Sequence, residues 1–135
     1  MKKNLFLVAV LFLSSQFLFA QKDYKVVFDL TSKDTLDQRS LLRWVDEVGG
    51  IKDAQLEIVM YGQGVHMVKN SSPYAEKIAQ LMQNKNINFK VCAVALKAQG
   101  IDTKDLIPGI QTVPDGIYEI ITKQHEGWGY IKAVH

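Results

Sequence analysis

The sequence predicts an α/β fold: a five-stranded, mostly parallel sheet with helices on both faces. Three observations predict it. Short runs of β-branched and apolar residues recur along the chain. Segments with helical spacing of apolar residues separate them. One run, "LEIVMYG" at residues 56–62, is apolar almost without interruption, as strands become when a sheet is covered on both sides. Alternation of this kind implies right-handed crossovers joining parallel strands.

The first strand is "YKVVFDL", Tyr24 to Leu30, halted by the polar cluster "TSKDT". Asp34 or Thr35 then caps a helix reaching Val48, with Leu41, Leu42, Val45 and Val48 at helical spacing and Gly49–Gly50 as its stop. The second strand is Leu56 to Gly62. After a loop, Ser71 or Ser72 precedes Pro73, a favourable first helical position. "YAEKIAQLMQNK" then sets Tyr74, Ile78, Leu81 and Met82 on one stripe, with Glu76, Lys77 and Gln80 outside it. "INFKVCAVA" forms the third strand and "LKAQG" a short helical turn closed by Gly100. "DTKDLI" predicts another turn, and a short fourth strand follows at Gln111 to Val113. Pro114, Asp115 and Gly116 open a last helix through Ile117, Ile120, Ile121 and His125, and "WGYIKAV" (Trp128 to Val134) closes the sheet. Leu106, Ile107, Ile110 and Val113 are core candidates. No repeat, low-complexity tract or linker interrupts the series, so one domain is expected.

The first twenty residues read as an address. "MKKNLFLVAVLFLSSQFLFA" has a basic start, an apolar run from Leu5 to Leu13, a polar break, and Ala20 before Gln21. That is the order of a secretory signal peptide. The break arrives before the roughly 20 apolar residues a membrane span requires. The expectation is export to the periplasm or outside the cell, with no membrane attachment after cleavage and a mature domain at residues 21–135. The whole chain has 16 Lys and Arg against 14 Asp and Glu. Removing residues 1–20 takes Lys2 and Lys3 and no acid, leaving net charge zero. Without a basic excess there is no electrostatic footprint for nucleic acid or anionic lipid.

The mature chain has one cysteine, Cys92. An internal disulfide is impossible, which leaves a buried inert thiol, an intermolecular link or a reactive sulfur. Position bears on the choice. In parallel α/β sheets, ligands gather beyond the carboxyl ends of the strands. Cys92 lies near that end of the third strand; Gly62 to Val68 leaves the second, and Thr31 to Thr35 the first. All three segments should share one rim. His66, on the second, could serve as acid, base or hydrogen-bond donor to the thiol, or be a plain surface histidine. Gly62 and Gly64 could let backbone approach an anion, or make a tight turn; their spacing fits neither dinucleotide nor P-loop fingerprints. Asp29 could orient a group at the rim or face solvent. His66, His125 and His135 lie far apart with no paired ligand spacing, so a metal site is not indicated, and no G-x-S-x-G elbow marks a serine hydrolase. No cofactor is expected.

The order of "YKVVFDLTS", "IVMYGQGVHMV", "YAEKIAQL", "FKVCAVALKAQGI", "LIPGIQTVPDGIYEI" and "HEGWGYIK" resembles the DsrE/DsrF-like family, whose fold is called YchN-like. The likeness spans the mature chain. It implies a three-layer α/β/α fold, assembly into homotrimers or homohexamers, and a cysteine at the position of Cys92 that carries sulfane sulfur as a persulfide between donor and acceptor proteins. Two departures stand out. The better understood relatives are cytoplasmic, whereas this chain is expected to be exported. The three residues after the cysteine, often polar in similar sequences, are Ala93, Val94 and Ala95 here. Two functions are therefore expected in competition: a sulfur carrier acting through Cys92, and a non-catalytic homo-oligomeric binding or assembly module in which Cys92 is inert.

Overall fold

The computed structural model describes residues 24–134. The predicted signal peptide and His135 lie outside the described residues. Five parallel strands form one sheet in the order β4-β3-β2-β1-β5: β1 Lys25–Leu30, β2 Gln55–Met60, β3 Ile87–Cys92, β4 Gln111–Val113 and β5 Gly129–Lys132. The helices are α1 Thr35–Gly49, α2 Ala75–Leu81, α3 Ala93–Ala98 and α4 Gly116–His125, with 3-10 segments at Gly62–Val68 and Thr103–Asp105. No helix among the described residues is long and apolar enough to cross a membrane.

Side-chain alternation divides the sheet. Phe28, Leu30, Leu56, Ile58, Met60, Phe89 and Val91 point to one face, where Leu41, Leu42 and Val45 of α1 and Ile78 and Leu81 of α2 complete the main core. Ala95 and Leu96 of α3 join the same core. The opposite face carries Val27, Asp29, Glu57, Val59 and Lys90, and Cys92 at the end of its strand meets α4 at Gly116 on this side while also packing with the main core cluster. Among the described residues, α4 is the one helix that covers this face, through a small cluster of Val27, Val59 and Ile120. The two faces thus differ in chemistry as well as in thickness.

Local signals account for most boundaries. Asp34 caps α1, its Oδ1 accepting from Leu36 N–H at 2.7 Å. Asp115 caps α4 by accepting from the N–H groups of Ile117 (2.8 Å) and Tyr118 (3.3 Å). Three expectations need correction. The second helix begins at Ala75, not Pro73, and stops at Leu81; residues 72–74 form a turn in which Ser72 Oγ accepts from Tyr74 N–H. The third strand ends at Cys92, and Ala93 to Ala95 belong to α3 because their backbone turns inward to bury Ala95 and Leu96. Ile117 and Ile121 are exposed; of the last helix's apolar positions only Ile120 is buried, since α4 rests on the sheet along one narrow stripe.

Candidate functional site

The connections leaving β3 and β4 part company. β3 feeds α3, which packs into the main core, while the adjacent β4 feeds α4 on the opposite face. Neighbouring parallel strands whose connections diverge leave a crevice at their carboxyl ends, where α/β sheets bind ligands. An open cleft of about 230 Å³ lies there, lined by Tyr61, Gly62, Cys92, Val94, Ala95, Ala98, Asp115 and Ile117. A larger cleft of about 440 Å³ opens at the amino end of β3, beside Lys85, Ile87, Asn88 and Gly109. It is lined by no thiol or hydroxyl side chain and sits at the wrong end of the sheet for the fold's usual chemistry.

Cys92 is the residue preceding α3, with φ −71° and ψ 121°, and its side chain forms no cap hydrogen bond. It is only 4% exposed yet forms part of the cleft wall. Gly116 explains how a helix sits so near it. A Cβ at Gly116 would lie 3.2 Å from Cys92 Cβ, 3.3 Å from Tyr61 Cβ and 3.3 Å from Val59 Cγ1. The glycine lets the first turn of α4 close over the thiol, and Asp115 and Ile117 on either side of it form one wall.

The other predicted residues fall into two groups. Gly62 lines the cleft and has φ +55°, a conformation glycine adopts readily. Gly64 is set back; a Cβ there would lie 2.3 Å from the Leu30 carbonyl oxygen, so this glycine serves close packing of the 3-10 segment on β1. His66 does not line the cleft. Its Nε2 is 3.0 Å from Gln99 Oε1, tying the 3-10 segment to the end of α3. Asp29 is 2% exposed and does not face solvent. Its Oδ2 accepts from Tyr61 (3.2 Å) and Tyr130 (2.7 Å), whereas Oδ1 is buried without a hydrogen bond. Burial beside this carboxylate pushes the phenol of Tyr61 upward, and that of Tyr130 strongly so. Asp29 therefore reaches the cleft through Tyr61, which is one of its lining residues.

Sequence reasoning missed Tyr61, Val94, Asp115 and Ile117 as cleft residues. Asp115 carried a signal, but of a helix opener. It also missed a buried charge cluster farther down the same face. Lys90 Nζ lies 2.9 Å from Glu57 and 2.6 Å from Glu119, and Lys123 lies 3.8 Å from Glu57 while stacking 4.9 Å from the Trp128 ring centroid. Burial, with a hydrogen bond that protonated Glu57 donates to the neighbouring Glu119 carboxylate, pushes Glu57 up to about 7. Burial acts on Glu119 in the same sense, but its hydrogen bond to Lys90 helps bring it below the usual carboxylate range. The signal available was an acid in an otherwise apolar strand. No group of three or more metal-binding side chains occurs among the described residues.

A sequence model of the DsrE/DsrF-like family matches residues 25–133. The chain belongs to this family. Solved structures agree with the assignment. A protein of unknown function from Methanobacterium thermoautotrophicum, MTH1491, is similar at 30% identity and TM-score 0.71, over 82% of this chain and 99% of that one. The Escherichia coli ychN protein shares the fold at 14% identity and TM-score 0.66, over 82% and 98%. BT1422 of Bacteroides thetaiotaomicron, a conserved protein of unknown function, shares it at 19% identity and TM-score 0.59, over 81% and 94%. No curated protein matches the sequence. Membership of the DsrE/DsrF-like family supports a role related to sulfur relay, and the YchN-like architecture expected from the sequence is the one observed.

Proposed function

We propose that this DsrE-like protein accepts sulfane sulfur on Cys92 and passes it to a second thiol. The observation that carries the reading is the placement of Cys92 in the wall of an open cleft at the β3–β4 crevice. Cys92 reacts as the thiolate, its proton released to solvent. The thiolate attacks the outer sulfur of a hydropersulfide R–S–SH; the donor S–S bond breaks, RS⁻ leaves, and Cys92–S–SH forms. An acceptor thiolate then attacks that outer sulfur and releases Cys92 thiolate. The chain supplies the nucleophile and a shielded seat; donor and acceptor are separate thiol or persulfide proteins or small molecules. Export, proposed from residues 1–20, would place this chemistry in the periplasm or outside the cell. Homo-oligomerisation, as a trimer or hexamer, is supported by the exposed apolar residues Tyr118 and Ile121 on α4, which lie outside the cleft lining.

A second reading is favoured by a specific observation. Cys92 is nearly sealed, and Ala93, Val94 and Ala95 bring no side-chain donor to a thiolate or persulfide. A scaffold with an inert thiol has those features. Intact mass spectrometry after treatment of the folded protein with a small hydropersulfide separates the two. The carrier gains about 32 Da, lost on reduction and absent from Cys92→Ser. The scaffold gains nothing, and its thiol labels only after denaturation. A covalent dimer lost on reduction would instead make the thiol a link between chains.

A further inference from the structure

We infer that the Cys92 cleft selects small uncharged organosulfur compounds, and that Asp115 is the residue that turns anions away. This deepens the sulfur-carrier reading and rests on it for the identity of the reaction. The selectivity follows from the lining alone. Among the described residues, no lysine, arginine or histidine borders the cleft. Apart from Asp115, its walls are formed by Tyr61, Gly62, Val94, Ala95, Ala98 and Ile117 together with Cys92, a lining that is mostly apolar. Val94 and Ile117 stand 61% and 54% exposed at its mouth, an apolar lip that an alkyl group can cover.

The single fixed charge in this lining is negative. Asp115 Oδ1 already accepts two backbone N–H groups at the start of α4, so the donors that would greet an anion there are taken. An incoming thiosulfate or inorganic polysulfide meets a carboxylate and no counter-charge. An uncharged alkyl sulfur compound meets neither obstacle. The size is consistent with a small substrate, being below the roughly 300–1,000 Å³ of sites that enclose drug-sized ligands.

The test uses three methanethiosulfonates of one reactive group and different charge: ethyl, 2-sulfonatoethyl and 2-(trimethylammonium)ethyl. In each reaction Cys92 thiolate displaces methanesulfinate and forms a mixed disulfide, so rates are read by mass spectrometry. Each rate is divided by that of the same reagent with free cysteine, which removes intrinsic reactivity. The ethyl reagent should then exceed the anionic one, and Asp115→Asn should raise the anionic-to-ethyl ratio roughly three- to eight-fold at low salt, the effect of removing one like charge within the same small, partly wetted site. Asparagine caps helices as well as aspartate does, so the fold is retained; unchanged melting checks this. Ile117→Ser should slow the ethyl reagent selectively. Equal normalised rates, an Asp115→Asn ratio unchanged from the parent, or no labelling of folded protein by any reagent overturns the inference. Selective labelling without persulfide gain from a hydropersulfide would leave the cleft's selectivity standing and remove the sulfur-carrier reading.

Discussion

Tyr130, on the edge strand β5, donates a 2.7 Å hydrogen bond to Asp29 Oδ2, a residue 101 positions earlier in the chain. The bond joins the last strand to the sheet on the face that carries Cys92. Tyr61 donates to the same oxygen from the other side, so one buried carboxylate ties the closing strand to the wall of the cleft.

Removing the Tyr130 hydroxyl should weaken the fold through Asp29 more than through Tyr130 itself. Tyr130 is half in solvent, but Asp29 is buried and already lacks a partner for Oδ1. Tyr130→Phe should therefore cost about 1–2 kcal/mol in urea unfolding, the range for a hydrogen bond to a charged group at a partly exposed site. Tyr61→Phe should cost less, its bond being longer at 3.2 Å. A loss below about 0.5 kcal/mol for Tyr130→Phe would show that the strand is held by its backbone ladder alone.

The buried acid Glu57 sets a pH dependence. Lys90 faces it from β3, and Glu119 and Lys123 face it from α4. Its folded-state pKa of about 7 lies above the ordinary value of 4.5. Its contribution is thus complete below about pH 4.5 and is lost as pH rises through 7. Glu119 has the opposite sign: its lowered pKa favours the folded state above the ordinary range and loses that effect only in acid. Between pH 5.5 and 8 Glu57 dominates, and melting temperature should fall across the interval. Glu57→Gln, which mimics the protonated form, should flatten the fall and be more stable than the parent at pH 8, on the order of 1 kcal/mol. A parent that gains stability against the variant from pH 5.5 to 8 would reverse the assignment.

Gly64 is held to its identity by proximity rather than by backbone angle. A methyl group there would meet the carbonyl oxygen of Leu30 at 2.3 Å and its carbon at 2.9 Å, both main-chain atoms that cannot rotate away. Gly64→Ala should lower stability by about 2 kcal/mol or more, because the 3-10 segment must lift from the end of β1. Gly100→Ala offers the control: there a Cβ meets nothing within 4 Å, though the φ of +65° carries its own strain. If both glycines cost the same, the close approach at Gly64 is not what matters.

How much of this was written in the order of residues can be judged from particular segments. The strands apart from the end of the third, a cap at Asp34 or Thr35, a helix opening around Asp115, and the stripe at Ile78 and Leu81 were legible, because periods of two and 3.6 and the needs of a helix end are properties of neighbouring residues. The position of Cys92 at the carboxyl rim was legible for the same reason, given a parallel sheet. Legibility stopped where distant segments meet. Nothing local to Asp29 says that Tyr61 and Tyr130 will close over it, and nothing local to Glu57 names Lys90 and Glu119. The sequence by itself determined the elements, their order and the end of the sheet where the sulfur sits. Only the tertiary structure decided that the paths from β3 and β4 diverge, that Gly116 brings α4 onto the thiol, and that Asp115 rather than His66 borders it. Those outcomes depend on how crossovers pack in three dimensions, and packing is shared between residues that the chain keeps far apart.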